Sequence, residues 1–76
     1  MNKKRRARIR EVVDQISVLC QELEELRDEE QEYMDNMPEN LQGSEKYEIA
    51  EESVSNLDSA IDNITEAIDY ANYASA

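Results

Sequence analysis

Apolar side chains recur along this chain in alternating steps of three and four. In the first half they fall at Ile9, Val12, Ile16, Leu19, Leu23, Leu26, Tyr33 and Met37, with Glu30 as the one polar member of the series. In the second half they fall at Tyr47, Ala50, Val54, Leu57, Ile61, Ile64, Ile68 and Ala71. Such steps place every member on one side of an α-helix, at the a and d positions of a heptad. Each run covers roughly 30 residues, or about 45 Å at the helical rise. The pattern predicts an all-α chain with one helix over about 5–36 and a second over about 44–74, in a single domain of residues 1–76.

The two runs are separated by the chain's only cluster of helix breakers, Asn36-Met37-Pro38-Glu39-Asn40-Leu41-Gln42-Gly43-Ser44. Pro38 cannot continue the first helix and disfavours helical geometry at Met37. Ser44 suits the N-cap of the second helix, with Glu45 and Glu48 favourably placed against its dipole. A turn over 37–43 follows. Folding the chain about residue 40 sets Ile9 opposite Ala71, Val12 opposite Ile68, Ile16 opposite Ile64 and Leu19 opposite Ile61. The same fold sets Leu23 opposite Leu57, Leu26 opposite Val54, Glu30 opposite Ala50 and Tyr33 opposite Tyr47. Every a position meets a d position, as antiparallel packing requires, so the expectation is a two-helix coiled-coil hairpin. Leu41 is expected to plug the end of the seam, and Glu30 to reach water or Lys46.

The apolar stripe is wider than a and d alone. The first helix adds Val13 and Cys20 at e positions; the second adds Ala60, Ala67 and Ala74 at g, with Ser53 continuing that row. Three apolar positions per heptad are the pattern of a bundle. Val13, Cys20, Ala60, Ala67 and Ala74 are therefore expected to form a self-association face, and two hairpins to pair into a four-helix bundle. Capture of helices from another protein is the alternative.

Charge divides the chain unevenly. Its 76 residues carry a formal net charge of −11, which argues against nucleic acid as the main ligand. The whole excess lies in residues 22–52, around the turn. There Glu22, Glu24, Glu25, Asp28, Glu29, Glu30, Glu32, Asp35, Glu39, Glu45, Glu48, Glu51 and Glu52 are opposed only by Arg27 and Lys46. As a solvent-exposed surface, Glu22, Glu24, Glu25, Asp28, Glu29, Glu32, Asp35, Glu48, Glu51 and Glu52 allow three readings. They form a solubilising face, a docking surface for a basic protein groove in imitation of nucleic-acid phosphates, or a divalent-cation site. The last lacks the Gly-centred loop of an EF-hand and any His. A second cluster, Lys3, Lys4, Arg5, Arg6, Arg8 and Arg10, makes a basic arm at the start of the first helix. There it opposes the macrodipole and should promote fraying. Arg8 and Arg10 are expected to approach Asp69, Tyr70 and Tyr73; the other reading is an arm for a nucleic-acid backbone, without interleaved aromatics.

Reactive chemistry is scarce. There is no His, no Gly-rich phosphate loop and one Cys. Cys20 rules out an internal disulfide and reads as a small buried hydrophobe. Neither catalysis nor a cofactor or metal is expected. No apolar run is long enough to span a bilayer, and the basic start lacks the apolar stretch of a signal peptide. A reducing cytoplasm is the expected setting.

Two stretches carry a family likeness: Leu26-Arg27-Asp28-Glu29-Glu30-Gln31-Glu32-Tyr33, and the turn Asn36-Met37-Pro38-Glu39-Asn40-Leu41-Gln42 with Ser44-Glu45. With the later Asn56-Leu57-Asp58-Ser59-Ala60-Ile61-Asp62 and Glu66-Ala67-Ile68-Asp69-Tyr70, the chain resembles small acidic proteins of bacteriophages and mobile elements of Gram-positive bacteria. The likeness brings no functional residues with it. It implies a phage or prophage accessory role in a bacterial host cell. Three functions follow as expectations. The first is inhibition of a host nucleic-acid-handling or defence protein through the acidic surface, with a basic host protein as partner. The others are a structural or assembly module acting by homodimerisation or helix capture, and a small nucleic-acid binder using the basic arm.

Overall fold

The computed structural model describes every residue from Met1 to Ala76. Two long helices, α1 (Lys3–Asp35) and α2 (Glu45–Ala74), lie antiparallel and pack along their length, joined by a short 3-10 turn at Glu39–Leu41. The chain extends 60 × 15 × 12 Å with a radius of gyration of 17.4 Å. A compact globule of this length would have a radius near about 11 Å, so the molecule is a rod one hairpin wide.

The helix ends follow local chemistry. Asn2 caps α1 by accepting the Arg5 backbone N–H at 2.7 Å, which offsets part of the repulsion between the first turn's bases and the dipole. The basic start is thus helical from Lys3. Asn36 ends α1 just before Met37-Pro38, and Ser44 Oγ accepts the Tyr47 N–H at 3.4 Å to open α2. Leu41 does not plug the seam: it is 45% exposed, while Met37 is half-buried.

The inner face of α2 is the expected one, since Tyr47, Ala50, Val54, Leu57, Ile61, Ile64, Ile68 and Ala71 are all buried or half-buried. The inner face of α1 is rotated. Val13, Cys20 and Met34 are each 7% exposed, whereas Val12 is 39%, Leu19 60%, Leu26 54% and Tyr33 49% exposed. The α1 seam therefore runs along e and most of a, the d row turns outward, and Ile16, expected in the seam, is 37% exposed. Small or slender e residues opposite the α2 seam let the helices approach where bulkier d residues would hold them apart, and Met34 closes the turn end by packing against Ala50 and Val54, with Tyr47 beside them.

The level of pairing shifts as well. Met34 and Ala50 are equidistant along the chain from Gln42, and Arg27, bonded to Asp58, reverses about nearly the same point. The hairpin thus turns about residue 42, not 40, a slip of one helical turn between the helices. Glu30 becomes level with Val54 instead of Ala50; it is half-buried and makes no ion pair with Lys46. In the same register Cys20 comes level with Ile64, Val13 with Ala71 and Ile9 with Ser75, whose exposure is 3%.

Only six residues in the chain are buried, and no large side chain is fully enclosed. The accessible surface is 5915 Å². A compact monomer of 8.8 kDa would expose about 4,800 Å². The seam has one layer of side chains and no second layer behind it.

Met34→Ala should remove about 2 kcal/mol of unfolding free energy, the lower end for a buried Met because the core is thin. Gln21→Ala, at an exposed position of α1, should change it by less than about 0.5 kcal/mol. Urea denaturation followed by circular dichroism measures both, and equal effects would contradict the rotated seam.

Candidate functional site

Because most of a, d and e on α1 and of a, d and g on α2 are apolar, all but one of the carboxylates around the turn occupy the remaining positions and radiate outward. Glu22, Glu24, Glu25, Asp28, Glu29, Glu32 and Asp35 on α1, and Glu48, Glu51 and Glu52 on α2, are all exposed. Two of these ten have a side-chain partner. Asp28 meets Arg27 at 3.3 Å, and Asp35 Oδ1 accepts from Gln31 Nε2 at 2.9 Å. The other eight face water with no cation against them. No three carboxylate or thiol groups converge to hold a metal ion.

Arg27, one of two cations in this half, is spent across the seam. Its Nε donates to Asp58 Oδ1 at 2.8 Å, and its Nη2 donates to Gln31 Oε1 at 3.4 Å. The Asp58 bond, then Asp28, raises the guanidinium pKa above its ordinary value against the opposing pull of burial. Arg27, cationic at any accessible pH, ties the two helices together near the middle of the rod. Sequence reasoning missed this pair. Both residues are e positions, which face each other in an antiparallel pair, but a turn placed at residue 40 holds them more than a helical turn out of level.

At the open end, Lys3, Lys4, Arg5, Arg8 and Arg10 are exposed and Arg6 is half-buried. Arg8 pairs with Glu11 on its own helix at 3.1 Å, both side chains largely solvated. The expected approach of Arg8 and Arg10 to Asp69, Tyr70 and Tyr73 does not occur. Those tyrosines are exposed and instead meet each other edge to face, with ring centroids 6.3 Å apart.

Of the residues expected to bind a second copy, Val13 and Cys20 are unavailable because the hairpin's own seam buries them. Ala67 and Ala74 are exposed and Ala60 is half-exposed. The apolar surface missed beforehand is the d row, Val12, Leu19, Leu26 and Tyr33. The heptad contains it, but the period alone does not reveal which edge of the stripe the partner helix takes. The Arg27–Asp58 pair lies on the e edge of both helices, so the d row of α1 and the g row of α2 share the opposite face.

Two shallow open grooves remain. One follows the α1 start beside Asn2, Arg5 and Arg8; the other lies at the turn between Tyr33, Met37, Pro38, Leu41 and Lys46. Neither pairs a nucleophile with a base. No helix is long and apolar enough to cross a membrane. Comparison with protein-family models, with curated proteins and with solved structures finds no match.

Cys20, buried in the seam, should react with a soluble disulfide reagent at least about tenfold more slowly in the folded chain than in denaturant. Equal rates would place it outside the seam.

Proposed function

We propose that this chain is a non-enzymatic protein-interaction module whose acidic half docks on a basic protein surface. In the fuller form of this reading, it is a phage or prophage accessory protein that blocks a host nucleic-acid-handling or defence protein by presenting carboxylates where phosphates would bind. The observation that carries the reading is the segregation of charge. Eight of the carboxylates around the turn stand exposed with no cation against them, and this half carries the whole net charge of −11, while the other half, with six bases and six acids, is neutral. Such a field steers association with a basic groove and weakens as salt rises. Replacing Glu24, Glu25, Asp28 and Glu32 by Lys should lower affinity for a basic host partner by more than about tenfold while leaving helicity intact. Duplex DNA should displace the wild-type chain from that partner. Binding that survives the charge reversal and resists DNA would contradict mimicry.

The exposed apolar d row favours a second reading, an assembly module that acts by pairing with its own copy or by capturing a partner's helices. On this reading Ala60→Glu with Ala67→Glu should halve the mass seen by light scattering and abolish activity with it. An unchanged mass would count against assembly through this face.

A further inference from the structure

Resting on the assembly reading, we propose that the chain forms a two-fold dimer in which the α1 d rows of two copies pack against each other, with the two turns at opposite ends of the assembly. The occupant of the exposed stripe is a second copy of this chain, and three features of the molecule point to it.

The first is area. The hairpin exposes 5915 Å², about 1,100 Å² more than a compact chain of its mass. A standard interface removes about 800 Å² from each partner. The excess is thus comparable to one stable interface, and the one exposed apolar row that recurs every seven residues along α1 is Val12, Leu19, Leu26 and Tyr33, with Ala60 and Ala67 beside it.

The second is self-complementarity. The four d residues are evenly spaced about a centre between Glu22 and Leu23. Reversing a second copy about that centre brings Leu19 level with the partner's Leu26 and Val12 level with the partner's Tyr33. A closed isologous contact needs this match of a surface with its own reverse. Ala60 and Ala67 on the same face allow α2 of each copy to approach closely.

The third is charge, which chooses between the two rotations that bring these faces together. With both turns at one end, two halves of net −11 would lie side by side, within about one Debye length. With the turns at opposite ends, the six bases from Lys3 to Arg10 come level with the partner's Asp35, Glu39, Glu45 and Glu48. The facing halves then carry −11 and zero in place of −11 and −11, so the repulsion is relieved, and the basic arm that opposes its own helix dipole acquires a counter-charge along α1. Reversal about the stripe centre also stacks α1 on α1 and α2 on α2, each pair antiparallel, as four-helix packing permits.

The test uses the full chain. Sedimentation equilibrium should give twice the 8.8 kDa chain mass. A nitroxide attached through Asn40→Cys at each turn should give a label-to-label distance of about 50 Å, from about 17 residues of helix on each side of the axis. The label is introduced in a Cys20→Ala background; if that change loosens the hairpin by circular dichroism, the buried Cys20 is kept, since the reagent reaches the exposed site first. Leu19→Glu with Leu26→Glu, at positions the hairpin leaves exposed, should yield a helical monomer. A dimer whose labels lie within about 20 Å of each other overturns the orientation while leaving assembly standing. A dimer that survives the double Glu substitution overturns the stripe as the interface. A chain that stays monomeric at millimolar concentration overturns the assembly reading and this proposal together.

Discussion

A helix in a two-helix hairpin can turn only one stripe toward its neighbour, and everything else about this molecule depends on which stripe α1 turns. Two wide apolar faces meet along a single line. The Ala50, Val54 and Ile64 side of α2 takes the e row of α1, where Val13, Cys20 and Met34 bury while the larger Leu19, Leu26 and Tyr33 stay in water. Close approach along small and slender side chains is favoured where it also allows Arg27 to reach Asp58, the one ion pair that ties the helices together. No large side chain is fully enclosed. The hairpin therefore keeps an apolar face in reserve, and its surface is larger than a compact chain of the same mass would show.

Charge arranges what that face can do. The carboxylates stand outward because the seam and the d row leave them only the outer positions; thirteen of the nineteen lie in residues 22–52, and at the open end six bases are matched by the other six acids. The rod is polarised, −11 in the half around the turn and neutral in the open half, along a self-complementary apolar stripe. Docking on a basic protein and pairing with a reversed copy draw on the same polarity. They do not exclude each other, because the carboxylates Glu24, Asp28, Glu51 and Glu52 lie away from the d-row face. Pairing in reverse would leave one acidic tip at each end of a rod roughly as long as the single hairpin.

Much of the architecture was legible in the sequence. The breaker cluster at Asn36 to Ser44, the cap at Ser44 and the 3-and-4 spacing set two helices, their bounds and the reversal to within a residue or two. What the spacing could not decide was rotation and level. A stripe three positions wide can meet its neighbour on either edge, and hydrophobic periodicity weighs Val12 and Val13, or Leu19 and Cys20, almost equally. Reversal about residue 42 in place of 40 preserves apolar-on-apolar pairing almost everywhere, so the pattern alone does not resolve a slip of one turn. The basic run after Asn2 argues for a frayed start, yet the Asn2 side chain caps and anchors the first turn of α1. The candidate surfaces divide in the same way. The acidic residues were placed correctly outside because charge cannot enter so thin a seam, whereas Val13 and Cys20 were assigned to the outer face when the inner one takes them.

The rotated seam is the central claim, and through-space proton contacts in an NMR spectrum of the full chain test it most directly. The structure predicts cross-peaks from the Met34 methyl to the methyls of Ala50 and Val54. Cross-peaks joining Leu26 to Val54 and the Tyr33 ring to the Tyr47 ring in their place would contradict it and restore a seam along the d row.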